Sequence, residues 1–173
     1  FVKTRYGNTL SDQALEAALL NKKTKIYSFL DRGSDERQYC HPKINLPVCN
    51  FSKKKFHEFD EYHTSADNLD LISKKGLDES LNVVKNIIEC FELGIHPKPS
   101  FSCEPFFMKY KKSNSVSIKN SLTESRKISS DIISFSDETQ NIFTICKHIG
   151  RSIEEIIIEY RDLIKHGIIK TTF

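Results

Sequence analysis

One seventeen-residue run, Leu77 to Leu93, most limits what this chain can fold into. Leu77, Leu81, Val84, Ile88 and Phe91 recur at the spacing of a single helical face. Val83, Ile87 and Cys90 widen that stripe, which predicts a helix packed on a sheet. Ser73 to Gly76 reads as the turn leading in. Gly94 suits the left-handed position just past a helix end, and Pro97 and Pro99 cannot continue it.

Upstream of the run the pattern changes. Ser11-Asp12 has the chemistry of a helix N-cap, and residues 13–20 are almost wholly strong helix formers with Leu15 and Leu19 on one face. Lys22-Lys23 suits the negative end of that helix. Lys25 to Leu30 reads as a strand ended by Asp31-Arg32-Gly33, and Ile44 to Phe51 as a second run that Pro47 confines to an edge. Helix, strand and polar loop in that order is α/β grammar. Open α/β sheets bind ligands beyond the carboxyl ends of their strands, so a site is expected in the loop at 33–41. Lys53-Lys54-Lys55 reads as a solvated face and His57 as an exposed residue without a partner pattern.

The C-terminal third reads as three short helices and a terminal strand. The first is expected near Ser125 to Phe135 and the second near Thr139 to Ile149, with Gly150 as the turn. Ser152 and Glu155 form a capping-box pair for the third, which sends Ile153, Ile156, Ile157, Tyr160 and Ile164 to a core. Lys165-His166-Gly167 closes it, and Ile168 to Phe173 extends away. This is the grammar of a winged helix. Between 151 and 165 three basic residues stand against four acidic ones, a balance that argues against phosphate binding and hence against DNA as a partner. Residues 95–121 are polar and irregular, a linker or β arm. Its Phe106, Phe107 and Tyr110 read as packing on the domain rather than as a nucleic-acid platform.

The net charge of +3 is too small to select nucleic acid or an acidic membrane. No run approaches the roughly 18 apolar residues of a membrane span, so no membrane association is expected. Five cysteines at uneven spacing fit no zinc-ribbon pattern and suit the reduced thiols of a cytoplasmic protein. The chain opens on Phe1 without an initiator Met, which suggests the tail of a longer protein.

Residues 33–70 are dense in side chains that do chemistry. His63, in a polar loop after an aromatic and with Asp67 four residues on, suits a metal ligand with an orienting carboxylate. Tyr62 suits donation to a developing oxyanion, or else a half-buried aromatic. Asp67 and Asn68 fit turn and capping roles equally well. Asp35-Glu36-Arg37 is either an internal ion pair or a substrate-contacting run. Cys40-His41 is a poor nucleophile and base, because adjacent residues rarely align.

Taken in order, Gly33-Ser34-Asp35-Glu36-Arg37-Gln38-Tyr39-Cys40, Ile44-Asn45-Leu46-Pro47 and Glu61-Tyr62-His63-Thr64-Ser65-Ala66-Asp67-Asn68-Leu69-Asp70 resemble the C-terminal half of a bacterial aminopeptidase-like family among the two-metal zinc exopeptidases. Cys103-Glu104-Pro105 and Lys165-His166-Gly167-Ile168-Ile169 extend the resemblance over nearly the whole chain. It implies an α/β fold: the C-terminal part of a zinc-exopeptidase-like α/β/α sandwich over residues 1–98, a linker or arm over 99–121, and a winged-helix domain over 122–173.

The resemblance also implies a closing metal ligand at His63 and a Tyr at 62 that helps stabilise the tetrahedral intermediate, and it places the superfamily's Ser-Asp on Ser34-Asp35; beside it, Asp67 is expected as the orienting carboxylate and Asp35, Glu36 and Arg37 as substrate contacts. Glu36 departs from the wider superfamily, where His is common. His41 and Lys43 stand where the family has a small residue and Gly. One or two zinc ions are implied, yet the first His, the bridging Asp, the general-base Glu and a further acidic ligand belong to an N-terminal half that nothing before Gly33 supplies.

The expectation is therefore a zinc-dependent aminopeptidase-like amide hydrolase, present as a C-terminal fragment inactive alone. Its substrate would be a peptide or an amide-bearing small molecule, including a modified sugar in surface-polysaccharide synthesis. Its partner would be the missing half or a second copy. The alternative is a non-catalytic interaction module whose winged helix docks a partner protein.

Overall fold

The computed structural model describes residues 1–105 and 121–173, so Phe106, Phe107, Tyr110 and most of the 99–121 arm lie outside the described residues. The chain divides into two compact units, Phe1–Lys85 and Asn86–Phe173, and the division falls inside one helix. The architecture is mainly helical with one two-stranded sheet among the described residues.

In the first unit, α1 spans Leu10–Ala18. Its cap is Thr9 rather than the expected Ser11-Asp12: Thr9 and Asp12 form a capping box, in which Asp12 is the third helical residue and accepts from the Thr9 backbone N–H at 2.9 Å. Ala14, Leu15, Ala17 and Ala18 are buried against the rest of the unit.

The expected strands at 25–30 and 44–51 shrink to single bridges. Val2, almost fully buried, pairs in parallel with Tyr27 on one side and antiparallel with Asn50 on the other. Four backbone hydrogen bonds of 2.9–3.1 Å hold this three-ply nucleus. The chain then turns away, because Phe29–Asp31 closes into a 3-10 turn capped by the Ser28 hydroxyl. Short α2, Glu36–Tyr39, follows, and a second 3-10 turn lies at Leu69–Leu71.

Helix α3 runs from Lys74 to Leu93, three residues earlier than the hydrophobic pattern begins. The Ser73 hydroxyl accepts from the Gly76 N–H at 3.0 Å and so starts the helix where the sequence suggested a turn. The inward face is also not the expected one. Val83 and Cys90 are buried and Ile87 half-buried, whereas Leu77, Leu81, Val84 and Ile88 are exposed. Helical periodicity locates apolar stripes but does not say which of two adjacent stripes meets a partner.

Gly94 ends α3 with φ +87°. A Cβ there would lie 2.7 Å from the side chain of Thr171, so close packing as well as backbone conformation requires glycine. β1, His96–Pro99, pairs antiparallel with β2, Ile169–Thr172, with Pro97 opposite Thr171.

Between the strands come α4 (Ser121–Ser134), α5 (Ile142–Ile149) and α6 (Ile153–Lys165). Asn141 caps α5, Gly150 at φ +68° turns the chain, and Ser152 with Glu155 makes the expected capping box of α6. Ile132, Ile142, Phe143, Ile145, Ile153, Ile156, Tyr160 and Leu163 are fully buried together with Ile168 and Ile169 of the β2 segment. Leu163, not Ile164, takes the last core position of α6. The Tyr160 hydroxyl satisfies itself by donating to the Gly94 carbonyl at 2.6 Å, as a buried phenol must. No helix among the described residues is long and apolar enough to cross a membrane.

Candidate functional site

The loop that carries Asp35, Glu36 and Arg37 is built around Glu36. This carboxylate is buried, and one oxygen accepts from the N–H groups of Gly33 at 2.7 Å and Ser34 at 3.1 Å. The other accepts from the Asn50 side-chain amide at 3.3 Å. Burial alone would raise its pKa; the N–H donors outweigh burial and hold it below the usual carboxylate range. Glu36 thus brackets the loop and ties it to the Val2–Asn50 bridge. Asp35 and Arg37, on either side, are exposed.

A second buried carboxylate anchors the same nucleus from α1. Asp12 accepts from the Thr4 N–H and hydroxyl, the Thr9 N–H and hydroxyl, and the Cys49 thiol at 3.4 Å. Burial works against its charge, but the Thr4 and Thr9 donors prevail and its pKa lies below the ordinary value. Burial, reinforced by Asp12, pushes the Cys49 thiol up to about 12. Cys40, also buried, donates to the Leu46 carbonyl at 3.1 Å and fixes the return of the 41–46 turn.

The Tyr62-His63 pair sits in an aromatic cluster that the sequence reading missed. Tyr62 is half-buried among Phe56, His57 and Phe59, with ring centroids 6.5, 4.9 and 5.5 Å away. His63 is exposed and stacks on Tyr62 at 4.0 Å and 17°. His57 and His63 both have left-handed backbones, φ +64° and +61°, which lets each imidazole turn back onto the Tyr62 ring. Phe56 joins this cluster to the Glu36 loop: its ring lies so close over Gly33 that a Cβ there would fall 2.2 Å from it. The available signal was the recurrence of aromatics at 56, 59 and 62, the spacing of successive turns, confirmed by hydrogen bonds from Glu58 N to Lys55 O and from Tyr62 N to Phe59 O.

The structure therefore brings Gly33, Phe56, Tyr62 and His63 into one surface, with Asp35 and Arg37 on the loop that starts at Gly33. It does not bring Asp67 to His63: Asp67 is exposed, and no hydrogen bond joins the two among the described residues. Nor does any group of three His, Cys, Asp or Glu side chains converge on a metal position among the described residues. Zinc takes about four ligands, so the described residues alone do not complete a zinc site.

The family model described as "Domain of unknown function (DUF4910)" matches residues 1–94, which include every residue of this surface. The chain belongs to the DUF4910 family. A Clostridium acetobutylicum protein named "Putative polysaccharide biosynthesis protein with aminopeptidase-like domain" is 37% identical to this DUF4910 chain over 112 residues. The match takes in 61% of this chain and 25% of that protein. The crystal structure of a "putative peptidase" from the same organism superposes with a TM-score of 0.69 at 25% identity, over 98% of this chain and 37% of that one. The chain thus spans 25% and 37% of the length of these relatives, and its scaffold is similar to that of a protein described as a peptidase.

Proposed function

We propose that this DUF4910 chain is the C-terminal part of a zinc-dependent, aminopeptidase-like amide hydrolase, made of a portion of an α/β/α peptidase core followed by a winged-helix domain. The observation that carries the reading is the superposition of 98% of the chain on little more than a third of a protein described as a peptidase. The Tyr62-His63 surface then supplies part of a site and leaves the remainder to residues elsewhere.

In this reading His63 is one metal ligand. It is exposed and held at a fixed angle by stacking on Tyr62. Tyr62 donates its hydroxyl to the oxyanion that develops when an amide carbonyl is attacked. Nothing among the described residues is hydrogen-bonded to that hydroxyl, and the aromatic packing fixes the ring without occupying it. Asp35 and Arg37 contact the substrate, and Glu36 holds their loop through Gly33, Ser34 and Asn50. The substrate is a peptide or an amide-bearing sugar of surface-polysaccharide synthesis, the setting that the name of the Clostridium acetobutylicum relative gives for that protein. In this reading residues outside the described ones complete the zinc site, and the chain alone is expected not to hydrolyse amides.

Calorimetric titration with zinc tests the reading. The isolated chain should show no tight site, whereas the full-length Clostridium acetobutylicum relative should bind zinc and lose affinity by about 10-fold or more when the residue matching His63 is changed to Ala. Two tight sites on the isolated chain, or unchanged zinc binding by that relative's variant, would defeat it.

A non-catalytic docking scaffold is the second reading. It is favoured by the lack of converging metal ligands among the described residues. A full-length relative that binds no zinc and hydrolyses no amide would select it.

A further inference from the structure

His63 stands in a segment that no β ladder or helix holds. From Phe51 to Asp67 every backbone hydrogen bond among the described residues is local and closes a turn, as those from Glu58 N to Lys55 O, Tyr62 N to Phe59 O and Thr64 N to Glu61 O do. The polar and ring contacts that fix this loop on the rest of the first unit are therefore made by side chains. Lys53 pairs with Glu79 of α3, and Phe56 lies over Gly33. Lys55 and Glu58 converge instead on one residue, Tyr27. The Glu58 carboxylate accepts from the Tyr27 hydroxyl at 2.6 Å and from the Lys25 ammonium at 3.1 Å, and the Lys55 ammonium lies 5.1 Å from the centre of the Tyr27 ring. The Tyr27 and Lys25 donors hold the Glu58 carboxyl below the usual carboxylate range, so it is the charged form that makes these bonds.

Tyr27 is a fixed post for them. Its backbone N–H donates to the Phe1 carbonyl at 2.9 Å and its carbonyl accepts from the Lys3 N–H at 3.0 Å, on either side of buried Val2. From that post the contacts run straight to the candidate site. The Lys55 ammonium also lies 4.4 Å from the centre of the Phe56 ring. His57 and Phe59, the neighbours of Glu58 in sequence, both pack on Tyr62, at 4.9 and 5.5 Å, and His63 stacks on Tyr62 at 4.0 Å. Exposed ion pairs contribute little to global stability, so a contact of this kind acts on where the loop lies rather than on whether the unit folds.

We propose that Glu58, bonded to Tyr27, is a positioning residue for the Tyr62-His63 pair: it moors the aromatic loop to the Val2–Tyr27 bridge and so sets where the His63 imidazole is presented. What His63 is presented for rests on its reading as a metal ligand; that Glu58 and Tyr27 set its position requires neither zinc nor hydrolysis.

Proton magnetic resonance of the His63 ring in the isolated chain, with its signals identified by their loss in His63→Gln, reads this geometry directly. An imidazole stacked on a phenol lies in the ring current and is shifted upfield of a free imidazole. Glu58→Ala should lose at least about half of that upfield shift while circular dichroism and the urea midpoint stay at their wild-type values. Tyr27→Phe, which keeps the ring beneath Lys55 and removes only the hydroxyl, should also reduce the shift. Glu58→Gln, whose amide oxygen can still accept from the Tyr27 hydroxyl, should restore most of it. Lys74→Ala, which breaks the exposed Lys74–Asp78 pair of the same unit, should leave it unchanged. A shift that neither Glu58→Ala nor Tyr27→Phe moves, a Gln variant no better than the Ala variant, or a loss of shift that comes only with unfolding of the chain would each overturn the proposal. If the shifts behave as expected but the full-length Clostridium acetobutylicum relative binds no zinc, the positioning role stands and the hydrolase reading fails instead.

Discussion

Replacing Asp12 by Ala removes a carboxylate that joins four parts of the first unit. Its oxygens accept from the backbone and hydroxyl of Thr4, from the backbone and hydroxyl of Thr9, and from Cys49, in a position with no solvent exposure. Hydrogen bonds to a charged acceptor contribute about 1.5–3 kcal/mol each but do not add, and two backbone N–H groups would be left unpaired at about 1–3 kcal/mol each. The capping box of α1 is lost as well, at about 1 kcal/mol. These terms overlap, and about 3–5 kcal/mol is the expected net cost, comparable to breaking a buried charged pair. At about 2 kcal/mol per molar urea the unfolding midpoint should fall by about 1.5–2.5 M. Urea titration followed by circular dichroism measures this. A shift under about 0.5 M would mean that water replaces the carboxylate and that Asp12 is not an anchor.

The same carboxylate supplies an acid limb whose sign can be worked out. The Asp12 pKa is lower in the folded chain than the ordinary value of about 3.9 expected on unfolding. Between the two values the unfolded chain binds more protons, so stability falls as pH falls. The contribution is complete above about pH 5 and is lost as pH drops through the unfolded and then the folded pKa. The stability difference between wild type and Asp12→Ala should therefore shrink on going from pH 6 to pH 3. A difference that stays constant would show that the charge plays no part.

Glu36→Gln keeps the shape of the loop bracket but removes the charge that Gly33, Ser34 and Asn50 stabilise; a loss of about 1–3 kcal/mol at pH 7 that narrows below pH 4 is expected by the same linkage, read by urea titration across pH. Gly33→Ala forces a methyl group against the Phe56 ring, so a cost of about 1–3 kcal/mol should accompany a change in the near-ultraviolet signal of the tyrosines, which the absence of Trp leaves uncovered. Of the five thiols, Cys103 is exposed while Cys40, Cys90 and Cys146 are buried, with burial pushing the Cys90 thiol up to about 12 and raising Cys146 as well. A thiol-specific chromogenic reagent at pH 8 should therefore modify Cys103 promptly in the folded chain and all five cysteines in denaturant.

What could be read from the sequence follows the range of the interactions involved. The α5–Gly150–α6 segment was legible because each of its signals is local. Gly150 supplies its own left-handed turn and Ser152 finds its partner three residues away in Glu155, whereas α5, expected from about Thr139, starts at Ile142 behind the Asn141 cap. The cap of α1 falls two or three residues before the expected Ser11-Asp12 because Thr9, Ser11 and Asp12 all have cap chemistry. Only the contact of Asp12 with Thr4 decides among them. The strand expected at 25–30 shrinks to a bridge because β pairing is set by a partner distant in sequence. Val2 forms a single isolated bridge on each side, so no ladder extends along 25–30.

The site shows the same division at finer scale. Tyr62 and His63 stood out by residue type, but their setting depends on Phe56 lying over Gly33, a contact across more than twenty residues that neither position announces alone. Gly33 looked like a loop glycine; its function is to admit a ring. Helix α3 divides in the same way. Its two apolar rows are nearly equal in hydrophobic character, and what distinguishes them is that Val83 and Cys90 have met a partner while Leu81 and Val84 have not. Periodicity marks both rows alike, so which of them lies against other segments is decided by residues far from the helix in sequence.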